Sequence, residues 1–366
     1  MHFHELSPPG GLRGHGGAVQ VAVFNASGSH CLSGGTDRVI NLWNPYRAPY
    51  GEDDESTGAL LLKQYRGHSQ DVSGLAIASD GASFASVGGD RCAYVWDVER
   101  GEATRRVYGH EARVGACALG GAGGASVLAT GSDDMTLRLH DLRAPPSRGP
   151  LQTLRGFRDK VTGVALEGGA VLATGLDGSL RTWDLRAGRA TCDYLPGGGG
   201  GSSGGEAAPA PVTALAPPTA ATALLASTRG GGTLALLDRR SGTVLAALTG
   251  HACARYRCTP TLLPGGTGAV CGGEGGEVLH WDALRGGARG GGGGAGTPLP
   301  RAHTGPVSYV DSRALAHTGQ LVLLTAGHDG SVRLWEGVAA AGGASASAAG
   351  SAPVVDVALQ RGLGHY

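Results

Sequence analysis

The chain repeats itself. A Gly-His dipeptide recurs at Gly14-His15, Gly67-His68, Gly109-His110 and Gly250-His251, with weaker forms at Gly156-Phe157 and Ala302-His303. Each is followed, after a similar interval, by a closing pair: Trp43-Asn44, Trp96-Asp97, His140-Asp141, Trp183-Asp184, Trp281-Asp282 and Trp335-Glu336. Leu237-Asp238 is a degenerate seventh close. An Asp stands six residues before the close in five units, at Asp37, Asp90, Asp134, Asp177 and Asp329. The same position is Gly231 in the fifth unit and Gly275 in the sixth, where Glu274 stands one residue earlier. Three intervals between successive closes are nearly equal, and the other three are longer because they contain insertions. A period of about 40–45 residues with insertions marks stacked supersecondary units, none of which can bury its own apolar faces alone.

Each unit reads as four short strands. In unit two these are residues 72–77, 83–87, 92–96 and 103–108, with apolar residues alternating and Gly or Asp at the turns. Seven such sheets packed radially bury a continuous core and leave only short edges. The expectation is an all-β, seven-bladed WD-repeat β-propeller over residues 1–341. Insertions at 46–58, 197–211 and 286–297 replace turns, where added length costs little loop entropy. Residues 342–366 read as a low-complexity, disordered tail. The ring-closing strand could come from Phe3–Leu12 or from Val354–Leu359; the residues do not choose.

Composition narrows the function. Net charge is zero and only 16% of residues are charged, which leaves no electrostatic footprint for nucleic acid or an anionic membrane. The seven cysteines, Cys31, Cys92, Cys117, Cys192, Cys253, Cys258 and Cys271, contain no CxxC pair. They are read as free thiols of a reducing compartment, with no metal site and no cofactor. Met1–Glu5 carries no apolar signal core and no apolar run is long enough to span a bilayer, so neither secretion by that route nor membrane insertion is expected.

Several sets look catalytic: His15, Ser33 and Asp37; His68, Ser86 and Asp90; His110, Thr130 and Asp134; His303, Thr325 and Asp329. Their repetition argues against catalysis, because an enzyme needs one nucleophile in one cleft. They are read, with Trp43, Trp96, Trp183, Trp335 and Asp177, as hydrogen-bond networks that brace each blade. Unit four has Phe157 for His and Ala173 for Ser, and units five and six also depart from the pattern, so units four to six form the expected weak arc. A propeller enzyme would need one convergent polar site near the central channel, and none is evident.

Beyond the generic repeat, the chain resembles the mitogen-activated protein kinase organizer family of WD-repeat proteins (WD repeat domain protein eighty-three). Val23-Phe24-Asn25, Leu42-Trp43-Asn44-Pro45, Gly88-Gly89-Asp90, Arg158-Asp159 before Val161, Leu236-Leu237-Asp238 and Gly250-His251 before Tyr256-Arg257 carry the resemblance. It implies a non-enzymatic, monomeric scaffold of nucleus and cytoplasm, with spliceosomal components or kinase-cascade members as protein partners. The alternative is a substrate receptor of a cullin–RING ubiquitin ligase, for which Trp183-Asp184-Leu185-Arg186 resembles the adaptor box through Asp184 and Arg186. Partners are expected on one rim: Gln70, Asp71, Glu111, Arg113, Asp133, Arg158, Asp159, Lys160, Arg255, Tyr256 and His328. Exposed Arg and Tyr are favoured at interface hot spots, which puts Arg158, Arg255 and Tyr256 first.

Overall fold

A computed structural model describes residues 2–7, 11–46, 60–121, 125–145, 148–195, 209–216, 223–228, 232–238, 243–266, 268–282, 296–300, 302–315 and 318–338. Gly231, most of the insertions at 46–58, 197–211 and 286–297, and the tail, including Val354–Leu359, lie outside them. The chain is all-β: seven antiparallel sheets, one per repeat, form a seven-bladed β-propeller.

The innermost strands, in order, are Val19–Phe24, Val72–Ile77, Val114–Gly120, Val161–Glu167, Val212–Leu215, Thr261–Leu262 and Val307–Ala314. Six of them begin with a fully buried Val, and the register shifts by one residue immediately after it, as at Val19/Val21, Val72/Gly74 and Val307/Tyr309. Such a bulge sharpens the twist of the strand and re-aims the extra residue. Here the extra residue stitches blades together: Ser73 Oγ donates to the Val114 carbonyl at 2.6 Å, Thr162 Oγ1 to Val212 at 2.9 Å and Ser308 Oγ to Val19 at 2.7 Å.

Between the blades lies the apolar core, with Trp335, Tyr65, Phe24 and Phe84 among the largest buried side chains. Full burial of a large apolar side chain contributes about 1.5–3 kcal/mol, so contact between neighbouring blades, more than any one sheet, holds the ring. The glycines that end second strands have a steric reason. A Cβ on Gly35 or Gly88 would overlap the carbonyl oxygen of Ala18 or Asp71.

The N-terminus closes the ring. His2–Glu5 and Leu12–Arg13 both pair antiparallel with Ser331–Val338, making the last blade five-stranded. Phe3 is buried beside His280 of blade six at 5.5 Å, and Glu5 meets Arg333 at 3.0 Å.

Blade six departs from its neighbours. Its innermost strand is only two residues long, and the preceding segment bonds forward to blade seven instead, Thr259 N to Ser308 O at 2.9 Å and Val310 N to Thr259 O at 3.1 Å. This shift carries Arg257 into the channel, where its guanidinium reaches the Gly115 carbonyl of blade three at 2.7 Å.

Candidate functional site

The repeated polar sets meet inside the blades, one set per blade. In unit one Trp43 Nε1 donates to Ser33 Oγ at 2.8 Å, Ser33 Oγ lies 2.7 Å from His15 Nε2, and His15 Nδ1 lies 2.8 Å from Asp37. Asp37 also accepts the Gly16 and Val39 amides. One proton arrangement satisfies every atom: the hydroxyl donates to Nε2, and Nδ1–H of a neutral imidazole donates to the carboxylate. Unit two repeats the chain through Trp96, Ser86, His68 and Asp90, and the last unit through Trp335, Thr325, His303 and Asp329. Unit three keeps His110, Thr130 and Asp134, but its closing residue is His140. Burial works to raise Asp134, and hydrogen bonds from Thr136 and His110 more than offset it, bringing it down to about 2. Burial also lowers His110, which keeps that imidazole neutral despite its carboxylate partner.

The broken units are repaired differently. Trp183 was expected in a polar chain, but it packs 5.8 Å from Phe157, with Arg181 over the Phe157 ring, because Phe157 and Ala173 replace both hydrogen-bonding partners. Exchanging both partners for apolar groups removes donor and acceptor together, while Arg181 Nε over the ring is buried without a hydrogen-bond partner among the described residues. Asp177 keeps only its capping role, accepting from the Arg158 amide at 2.8 Å and from Ser179. In unit six Glu274 takes the place of the missing Asp: its Oε1 accepts the amides of Ala254, Arg255 and Tyr256. His251 is the casualty, since both ring nitrogens are buried without a hydrogen-bond partner among the described residues.

The predicted rim residues lie where inner strands begin and second strands end, which is the same end of every blade. Cross-blade pairs join several of them. Arg113 meets Asp71 at 2.7 Å and Gln20 at 2.8 Å, and Lys160 meets Asp133 at 3.1 Å. Tyr256, 42% exposed, stands edge-on to His328 with ring centroids 4.8 Å apart. Gln70 and Glu111 are exposed and Asp159 caps the Lys160 amide. The exposed side chains of Arg158 and Arg255 make no hydrogen bond or ion pair among the described residues. On the opposite end of blade four, Asp184 caps the amides of Arg186 and Ala187, leaving the Arg186 side chain exposed.

Sequence reasoning missed one cluster. Tyr309, Asp311 and Arg313 alternate along the innermost strand of blade seven, and Arg257 joins them in the channel. The signal was present: the corresponding positions are Val21, Val23 and Asn25 in unit one and Gly74, Ala76 and Ala78 in unit two. Among the described residues no group of three His, Cys, Asp or Glu is placed to hold a metal ion.

Comparison with known proteins agrees with this architecture. The family model WD domain, G-beta repeat matches residues 7–44, 60–97, 101–141 and 296–336. WD repeat domain-containing protein 83 of Rattus norvegicus is 32% identical over 270 residues, 74% of this chain and 77% of that one. The U5 small nuclear ribonucleoprotein 40 kDa protein of Dictyostelium discoideum is 30% identical over 177 residues, 48% of this chain and 46% of its own. Pre-mRNA-splicing factor cwf17 of Schizosaccharomyces pombe is 31% identical over 176 residues, 47% of each. The chain thus spans about half the length of the latter two. Repeat signature, ring topology and similarity over most of its length converge: the chain belongs to the WD-repeat β-propeller proteins, in the family of WD repeat domain-containing protein 83.

Proposed function

We propose that this chain is a non-enzymatic scaffold whose rim captures protein partners, and that its place is in the nucleus, in pre-mRNA splicing assemblies. The carrying observation is the Tyr256 loop. Glu274 gathers three consecutive backbone amides, His328 supports the Tyr256 ring, and the Arg255 side chain beside it makes no hydrogen bond or ion pair among the described residues. A pre-ordered aromatic and an available guanidinium form a hot spot that loses little side-chain entropy on binding. The cross-blade pairs elsewhere on the rim are solvent-exposed and add little stability, so they are free to exchange for partner contacts. The splicing assignment rests on the names of the relatives. A cytoplasmic, kinase-cascade role follows only from the family resemblance.

Affinity purification of the tagged chain from nuclear and cytosolic extracts, followed by mass spectrometry, tests this reading. Spliceosomal proteins should be recovered from the nuclear extract and lost with the double variant R255E/Y256A, whose melting temperature should match the wild type. Undiminished capture by that variant removes the rim assignment. Recovery of a cullin and its adaptor, lost on Arg186→Ala, replaces the scaffold reading with the ligase one.

A further inference from the structure

The central channel holds a cavity of about 440 Å³, bounded by the inner segments of all seven blades. Much of its wall is apolar, with Val23, Ile77 and Val164 among the lining residues. Against this wall stand two guanidinium groups from adjacent blades. Arg313 makes no hydrogen bond and no ion pair among the described residues, and its Nε is buried without an acceptor. Arg257 uses one N–H on the Gly115 carbonyl, and its Nε also lacks an acceptor. Burial disfavours the charge on Arg257.

The lining holds one carboxylate, Asp311, and both its oxygens are engaged by backbone. Phe24 N donates to Oδ2 and Ser312 N to Oδ1, each at 2.8 Å. Burial raises its pKa, and the nearby Arg313 charge offsets this only in part, so it is a poor counterion for two arginines. The Tyr309 hydroxyl, also lining the cavity, makes no hydrogen bond among the described residues. Both side chains are part-buried, and a guanidinium taken even partly out of water without a bonded counterion costs the fold stability. Arg, moreover, is suited to two-point recognition of carboxylate and phosphate.

We infer that the channel is a binding site for a small organic anion, a carboxylate- or phosphate-bearing molecule, held by Arg257 and Arg313 with the Tyr309 hydroxyl as a third donor. The cavity falls within the range of about 300–1,000 Å³ usual for small-ligand pockets. Arg257, crossing from blade six to blade three, obstructs the channel on the side where the inner strands begin, so a small solute enters from the opposite end. The site is separate from the rim and goes beyond the scaffold reading.

The test is calorimetric titration of the full chain with citrate and with inorganic phosphate, each against sodium chloride at matched ionic strength. Saturable binding is expected for at least one, the stronger arm identifying the headgroup. Arg313→Met, which removes no hydrogen bond of the free protein, should weaken it at least tenfold while leaving partner capture at the rim unchanged. Equal binding by the wild type and R313M overturns the proposal, as does a response no larger than that to chloride. Binding of an acidic peptide with none of either anion also overturns it, in favour of a protein ligand. Crystals grown in selenate give an independent reading: an anomalous peak between Arg257 and Arg313 is expected, and an empty channel at saturating selenate refutes the site.

Discussion

Ser73 Oγ donates to the carbonyl oxygen of Val114, 41 residues away and one blade on, at 2.6 Å. Equivalent bonds run from Thr162 to Val212 and, across the closure, from Ser308 to Val19. The matching position of blade three is Gly115, which has no hydroxyl to offer. A Cβ built there would sit 3.7 Å from the Val161 carbonyl, an ordinary contact, and the backbone is not left-handed. Gly115→Ser should therefore add the missing stitch and raise stability by about 1 kcal/mol, from the bond and from the lost freedom of the unfolded glycine. Ser73→Ala should cost a similar amount. Urea denaturation of both variants checks this, and a destabilised G115S would show that the stitch depends on more than the hydroxyl.

Two histidines at the same repeat position should respond oppositely. His15 is satisfied on both nitrogens, whereas His251 has no hydrogen-bond partner on either among the described residues. His15→Phe orphans Ser33 and Asp37 and should destabilise by about 1–3 kcal/mol. His251→Phe copies the apolar solution of Phe157 against Trp183 and should be neutral or stabilising. Chemical denaturation midpoints at pH 7.5 decide it, and equal losses would mean that His251 has an unseen partner.

Acid should weaken the ring in two stages. Burial pushes His140 and His251 down to about 4, with neighbouring positive charge adding to the effect at His140. The unfolded chain therefore takes up protons first, so the stability these neutral rings preserve is present above about pH 6.5 and is lost as pH falls toward 4. The network carboxylates respond lower. Burial tends to raise Asp37, Asp90 and Asp134, but hydrogen bonds and histidine neighbours hold them below the ordinary carboxylate value. Their contribution is present above about pH 4 and is lost as pH falls through their folded values. Melting temperatures from pH 8 to 3 should show both stages, the first diminished in H251F. A flat profile between pH 7 and 4.5 would rule out the histidine stage.

Glu274 should control the order of the rim anchor. With three amides gathered on one carboxylate oxygen, Glu274→Ala releases residues 254–256 while the core of blade six is untouched. Backbone hydrogen exchange in that loop should rise by an order of magnitude or more, with little change elsewhere. Unaltered protection in the variant would place the restraint in the Tyr256–His328 contact instead.

The architecture was legible because it is periodic. Seven closes, five turn Asp residues and the Gly-His starts, each tied to a local hydrogen bond, mark blade number and strand order without reference to distant parts of the chain. Deviations were legible as losses: Phe157 for His and Gly275 for Asp. Their consequences were not. That Phe157 with Trp183 makes a sound apolar blade, while His251 is stranded, depends on which neighbours face them. Ring closure by His2–Glu5 depends on pairing between strands from opposite ends of the sequence, and two terminal segments had equally suitable patterns. The channel cluster was hidden for the same reason. Arg313 departs from Asn25 and Ala78 at the matching positions of units one and two, but Arg257 belongs to a different repeat and nothing along the sequence joins the two. Only the circular packing of seven inner strands, with blade six shifted forward onto blade seven, puts both part-buried arginines on the wall of one channel, with no ion pair to either among the described residues.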